Sequence, residues 1–137
     1  MFFRKKAKDK ENHNFIKIAA LLIHAAKIDE NYSAQEETII KQTIMEIGVK
    51  EGDLEKIMFK AKEMESNSNQ ILDFTQEVKN MSYENKIRII QSLWKIIYSN
   101  KDADIYETNL MRRLAGLLYI DNKTMGDIKE EIKKENS

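Results

Sequence analysis

The chain of 137 residues contains no cysteine and no proline, and it has only four glycines and two histidines. Without cysteine it can form no disulfide, no thiolate metal site and no thiol nucleophile. The scarcity of histidine argues against a Ser–His–Asp triad, and no glycine-rich phosphate loop is present. The shortage of turn-forming residues disfavours a hairpin-rich β fold and favours helices.

The chain also has no excess of positive or negative charge. Lys and Arg number 23, Asp and Glu number 23, and the net charge is +0. This balance argues against a broad basic face, so no nucleic-acid partner is expected. The longest apolar stretch, from Phe15 to Ala26, is too short to span a bilayer, and the basic N terminus lacks the apolar core of a signal peptide. We therefore expect one domain, located in the cytoplasm.

Apolar residues recur at helical spacing along most of the chain, and strand-like alternation is almost absent. The pattern predicts an all-α fold with about seven helices in a compact irregular bundle. The first helix should run from about Asn14 to Ile28. Residues 1–13 are expected to form a flexible basic tail, and residues 14–134 the helical domain. Gly116 falls inside the sixth predicted helix, where a close helix–helix contact would explain it.

One pattern occurs twice in the chain. In each copy an apolar helix leads into a short acidic loop, which leads into a second helix opened by a carboxylate. Asp29 and Asn100 occupy the same slot, 71 positions apart, and so do Glu36 and Glu107. The pattern predicts a duplicated helix–acidic loop–helix unit.

The second helix of each copy begins with the spacing of a capping box. In such a box the first side chain accepts from a backbone N–H three residues later, and the glutamate there accepts from the first residue's N–H. Ser33 with Glu36, and Asp104 with Glu107, have this spacing. Both glutamates are therefore expected to stabilise helix starts.

The acidic loops are also a candidate site for a divalent cation. They carry the oxygen ligands that Ca²⁺ or Mg²⁺ prefers, at Asp29, Glu30, Glu36, Asn100, Asp102, Asp104 and Glu107. If the loops met, their carboxylates would repel one another without a counterion, so Ca²⁺, Mg²⁺, Mn²⁺ or Zn²⁺ is the candidate cofactor. The alternative assigns these residues to capping and turn bracing. An EF-hand is excluded, because Ile105 stands where its loop requires glycine.

The two loops resemble those of the TerB-like family, the all-helical domain associated with tellurite resistance. The family loops read A-x-A-D-G-x-[IV]-x-x-x-E. AKIDENYSAQE at residues 26–36 is similar to the first, and YSNKDADIYE at residues 98–107 to the second. The segment LMRRLA at residues 110–115 resembles the apolar-Arg-Arg continuation. A similar domain lies at the front of a membrane-anchored DnaJ-like co-chaperone.

This resemblance covers most of residues 16–132 and implies several properties. It implies a link to tellurite and other stresses and the divalent-metal binding at acidic residues that is proposed for the family, and it implies no well-established catalytic chemistry. The chain departs from the family pattern where Glu30 and Lys101 replace the loop glycines and Asn100 replaces the second aspartate.

Arg112 and Arg113 follow the second loop and are candidates for binding an acidic partner or a phosphate. The alternative is surface pairing with Glu107 or Asp104, one turn upstream. His24 is expected to be a partly exposed helix residue rather than a ligand or a base.

The leading prediction is a noncatalytic TerB-like domain that acts by protein interaction. Two alternatives stay open. A metal-dependent hydrolase could use the loop carboxylates, given an open coordination position and a base. A membrane-surface adaptor could use the basic and aromatic residues 1–10, for which weak binding is expected.

Overall fold

The computed structural model describes residues 2–28, 32–68, 71–99 and 104–135, and for residues 2–10 the backbone alone. Within those ranges the chain is all-helical and has no strand, which confirms the predicted fold class. A short 3₁₀ turn at Glu51–Asp53 precedes the third helix. The helices are α1 (Phe2–Ala26), α2 (Ala34–Glu46), α3 (Leu54–Asn67), α4 (Leu72–Lys79), α5 (Tyr83–Tyr98), α6 (Ile105–Leu117) and α7 (Asn122–Glu135).

Helix α1 begins at Phe2, whereas the apolar periodicity predicts a start near Asn14 and a tail before it. The segment contains neither proline nor glycine, and its lysines, alanine and glutamate are good helix formers. Apolar periodicity reveals only the part of a helix that packs against a core, so it misses a polar extension of this kind.

Helix α1 is the centre of the bundle and packs against α2, α3, α4 and α5. Residues 18–23 are buried without interruption, so this stretch has no polar face. A helix that is apolar all round belongs in the interior of a fold. The alanines Ala19 and Ala20 are completely buried there, and their small side chains let neighbouring helices approach closely.

A pair of buried hydroxyls joins α2 to α5 inside this core. Thr43 Oγ1 donates to the Ile39 carbonyl over 2.9 Å and lies 2.8 Å from Ser92 Oγ. Both hydroxyl groups are therefore hydrogen-bonded, which avoids the cost of burying an unpaired polar atom.

Helices α2 and α6 end with the same hydrogen-bond pattern. The backbone N–H groups of Val49 and Ile120 each donate over 2.9 Å to a carbonyl in the last helical turn. The preceding residues, Gly48 and Tyr119, have positive φ angles of 129° and 58°. This is the geometry of a helix end closed by a left-handed residue.

Tyr119 adopts that conformation without being glycine, and two lysines lie beside its ring. The ammonium groups of Lys79 and Lys86 lie 4.9 and 5.9 Å from the centre of its ring, within the range of cation–π attraction. Lys86 Nζ also donates to the Leu118 carbonyl over 3.2 Å. The two lysines thus hold the end of α6 against the rest of the bundle.

Gly116 lies in α6, but the close helix–helix contact predicted for it is absent. A Cβ atom built at this position would have no neighbour within 4 Å, and the residue is exposed. Its backbone φ is not positive either. Nothing in the described structure therefore requires glycine at this position.

We expect Gly116→Ala to raise the free energy of unfolding by about 1 kcal/mol, the difference in helix propensity between the two residues. Gly48→Ala is the matched control and should destabilise the fold, because its φ is 129° and the new Cβ would lie 3.3 Å from Phe15. Urea unfolding followed by circular dichroism measures both. A loss of stability in the Gly116→Ala chain would contradict this account of α6.

Candidate functional site

Helix α2 opens with a complete capping box after the first acidic loop. The Ser33 N–H donates to Glu36 Oε1 over 2.8 Å, and the Glu36 N–H donates to Ser33 Oγ over 3.1 Å. The Glu36 side chain is held inside the bundle, with 2% of its surface exposed. The predicted capping role of Glu36 is confirmed.

Helix α6 opens in the same way after the second acidic loop. The Asp104 N–H donates to Glu107 Oε1 over 3.1 Å, and the Glu107 N–H donates to Asp104 Oδ1 over 2.8 Å. Glu107 is 4% exposed. The two glutamates thus form equivalent structures, each a buried carboxylate at the positive end of a helix dipole.

The remaining predicted cation ligands, Asp29, Glu30, Asn100 and Asp102, lie outside the described residues. Among the residues that are described, no group of three His, Asp or Glu side chains could hold a metal ion. The cation site therefore stays a prediction about the two loops.

A cluster of polar side chains lies where the first loop leads into α2. The half-buried Tyr32 donates to Glu37 Oε1 over 3.5 Å, and Lys62 on α3 forms an ion pair with the same carboxylate. The hydrogen bond from Lys62 is the main reason that the pKa of Glu37 is lowered. Burial, and then the Glu37 charge, raises the pKa of Tyr32. The cluster ties the loop's exit to α2 and α3.

Acid should weaken this cluster. Because the folded pKa of Glu37 lies below its ordinary value of 4.5, its contribution is present above pH 4.5 and is lost as pH falls through the folded pKa. We expect Glu37→Gln to reduce stability by less than about 1 kcal/mol at pH 7, as for exposed ion pairs. The loss should shrink towards pH 3. Urea unfolding at each pH measures the difference.

Lys62→Gln is the control for this assignment, since it removes the cation that lowers the pKa of Glu37. The Lys62→Gln chain should lose the same part of the acid dependence. An unchanged pH profile in both variants would show that the ion pair does not contribute to stability.

His24, in the last turn of α1, faces a glutamate from α3. Its Nδ1 lies 3.4 Å from Glu65 Oε1, and Lys27 Nζ donates to Glu65 Oε2 over 2.8 Å. The histidine is partly exposed, as predicted. Its partner is 41 positions away in sequence, which is why helical spacing alone could not identify it. These contacts fasten the end of α1 just before the first loop.

A groove of about 220 Å³ lies among α5, α6 and α7. We call it the Trp94 groove. Its lining combines apolar, polar and cationic side chains, and those of Trp94, Met111, Ala115 and Met125 are buried. The lining residues are Trp94, Thr108, Met111, Arg112, Ala115, Asn122, Met125, Gly126 and Lys129.

The indole of Trp94 is the unusual group in this groove. Its Nε1 is the only buried side-chain polar atom in the described ranges without a hydrogen-bond partner. Leaving such a donor unsatisfied costs about 1–3 kcal/mol. Lys129 Nζ lies 5.6 Å from the indole ring, close enough for cation–π attraction.

The two arginines predicted to bind a partner have different surroundings. Arg112 lines the Trp94 groove, whereas Arg113 is exposed and lies outside its lining. Neither forms an ion pair with any described residue, so the alternative pairing with Glu107 or Asp104 is not observed. The double-arginine pattern could indicate a cationic surface but not which arginine meets the groove, because the groove needs residues from three helices.

Comparison with known families gives one clear match. The family model of the tellurite resistance protein TerB matches residues 15–130, a span that includes both acidic loops and every residue that lines the Trp94 groove. Comparison with curated proteins and with solved structures gave no match. Within the described ranges, every helix is too short or too polar to cross a membrane.

Proposed function

Because the chain belongs to the tellurite resistance protein TerB family, we propose that it is a noncatalytic, cytoplasmic member that acts by binding another protein. A role in the response to tellurite stress agrees with the family's description. The observation that carries the proposal of protein binding is the Trp94 groove.

The size and composition of the groove suit a protein partner. Sites for small molecules usually enclose about 300–1,000 Å³, more than the 220 Å³ of this groove. Trp and Arg are enriched among the residues that dominate binding energy at protein interfaces, and Met is enriched in such interfaces. Arg112 supplies an exposed cation at the groove, and Trp94 and Met111 form its buried apolar floor.

Site-specific photo-cross-linking in the native cells tests this proposal. The photoreactive amino acid benzoylphenylalanine is placed at Asn122, an exposed position on the groove, or at Phe59, an exposed aromatic on α3 outside it. We expect a discrete protein adduct from Asn122 that is absent from Phe59. No adduct at Asn122, or the same adducts at both positions, would sink the proposal.

We further propose that the two acidic loops bind a divalent cation. The proposal is supported by the loop carboxylates at Asp29, Glu30 and Asp102, which precede the two capping boxes in sequence. Carboxylate oxygens are the preferred ligands of Ca²⁺ and Mg²⁺. Lys101 and Asn100 lower the negative charge of the second loop, so the first loop should contribute more of the affinity.

Thermal unfolding with Ca²⁺, Mg²⁺, Mn²⁺ or Zn²⁺ tests the cation site. An ion at 100 times its dissociation constant adds about 2.7 kcal/mol, which should raise Tm by about 10 °C. The combined change Asp29→Asn with Asp102→Asn should abolish that rise. Asp127→Asn with Glu130→Gln, on the exposed surface of α7, removes equal charge and should preserve it. Equal shifts in the two double variants would show that the ions act nonspecifically.

A further inference from the structure

We propose that the Trp94 groove receives a large apolar side chain from a partner protein segment whose neighbouring carboxylates pair with Arg112 and Lys129. This inference rests on the proposed function and adds the chemical class of the partner. The three features that carry it are the apolar floor, the uncompensated positive charge and the open space beside Gly126.

The floor of the groove is apolar. Trp94 is 3% exposed, and Met111 and Met125 pack beside it in the core. Methionine side chains are unbranched and adaptable, so they accommodate apolar groups of different shape.

The charge of the groove has one sign. Its lining contains Arg112 and Lys129 but no aspartate or glutamate, although the whole chain is neutral. Neither cation has an ion-pair partner in the part of the chain that the structure describes. Surfaces of complementary charge meet at specific interfaces, so the partner should be acidic next to its apolar anchor.

Gly126 keeps the groove open on the side of α7. A Cβ atom at this position would have no neighbour within 4 Å, and the residue lines the groove. A longer side chain at Gly126 would therefore occupy the space proposed for the partner's anchor. Gly116 is a matched position, since it is also a helical glycine with no neighbour within 4 Å, yet it lies outside the groove.

The test begins with a random dodecapeptide library displayed on phage and selected on the full chain, with the Gly126→Leu chain used for counter-selection. We expect the enriched peptides to carry a large apolar residue flanked by aspartate or glutamate. Their affinity is then measured by the fluorescence of Trp94, the one tryptophan in the protein.

The affinities of matched variants give the decisive comparison. Gly126→Leu should weaken binding at least about tenfold by filling the groove, whereas Gly116→Leu should change it by less than about twofold. Arg112→Gln combined with Lys129→Gln leaves the groove open and should also weaken binding about tenfold while reducing its salt dependence. This second variant tests the charge without altering the core.

Several results would overturn the inference: no enriched sequence, enriched peptides that are basic or uncharged, or equal binding by the Gly126→Leu and Gly116→Leu chains. The cross-linking experiment tests the proposed function independently of this inference. If benzoylphenylalanine at Asn122 still captures a specific partner, protein binding stands and only the acidic, apolar-anchored class of partner is wrong. If neither experiment detects binding, both proposals fall.

Discussion

The burial of α1 on all sides is the constraint on which the rest of the structure depends. Its residues 18–23 have no polar face, so neighbouring helices must cover the whole circumference. Helices α2, α3, α4 and α5 do so, and each needs an apolar side of its own to reach the centre. The core is thus a single connected cluster that extends from α1 to α7. The two capping boxes and the surface charges of the described residues lie outside this apolar core.

The ends of the helices are where local sequence and tertiary structure agree best. A capping box needs only two side chains three positions apart, so Ser33 with Glu36 and Asp104 with Glu107 could be predicted from spacing. The left-handed stop at Gly48 could also be predicted from local sequence, because glycine tolerates a positive φ angle. Tyr119 has no such local signal, and the lysines that lie beside its ring come from other parts of the chain.

Features that depend on contacts between residues distant in the chain could not be predicted from the sequence. The contact between His24 and Glu65 and the open space around Gly116 are set by how the helices pack. The Trp94 groove belongs to the same class. Spacing can assign Trp94 and Met111 to the buried sides of their helices, but not the gap left between those sides.

Helix α6 connects the second capping box to the Trp94 groove. Its first turn carries the capping box of Asp104 and Glu107, and the next turns carry Thr108 and Arg112 to the groove. Each capping glutamate accepts the backbone N–H of the cap residue through Oε1. The glutamates then act mainly by fixing where each helix begins. A helix whose start is fixed in this way also presents its later residues in a fixed orientation. The capping box and the α6 side of the groove are therefore successive parts of one helix.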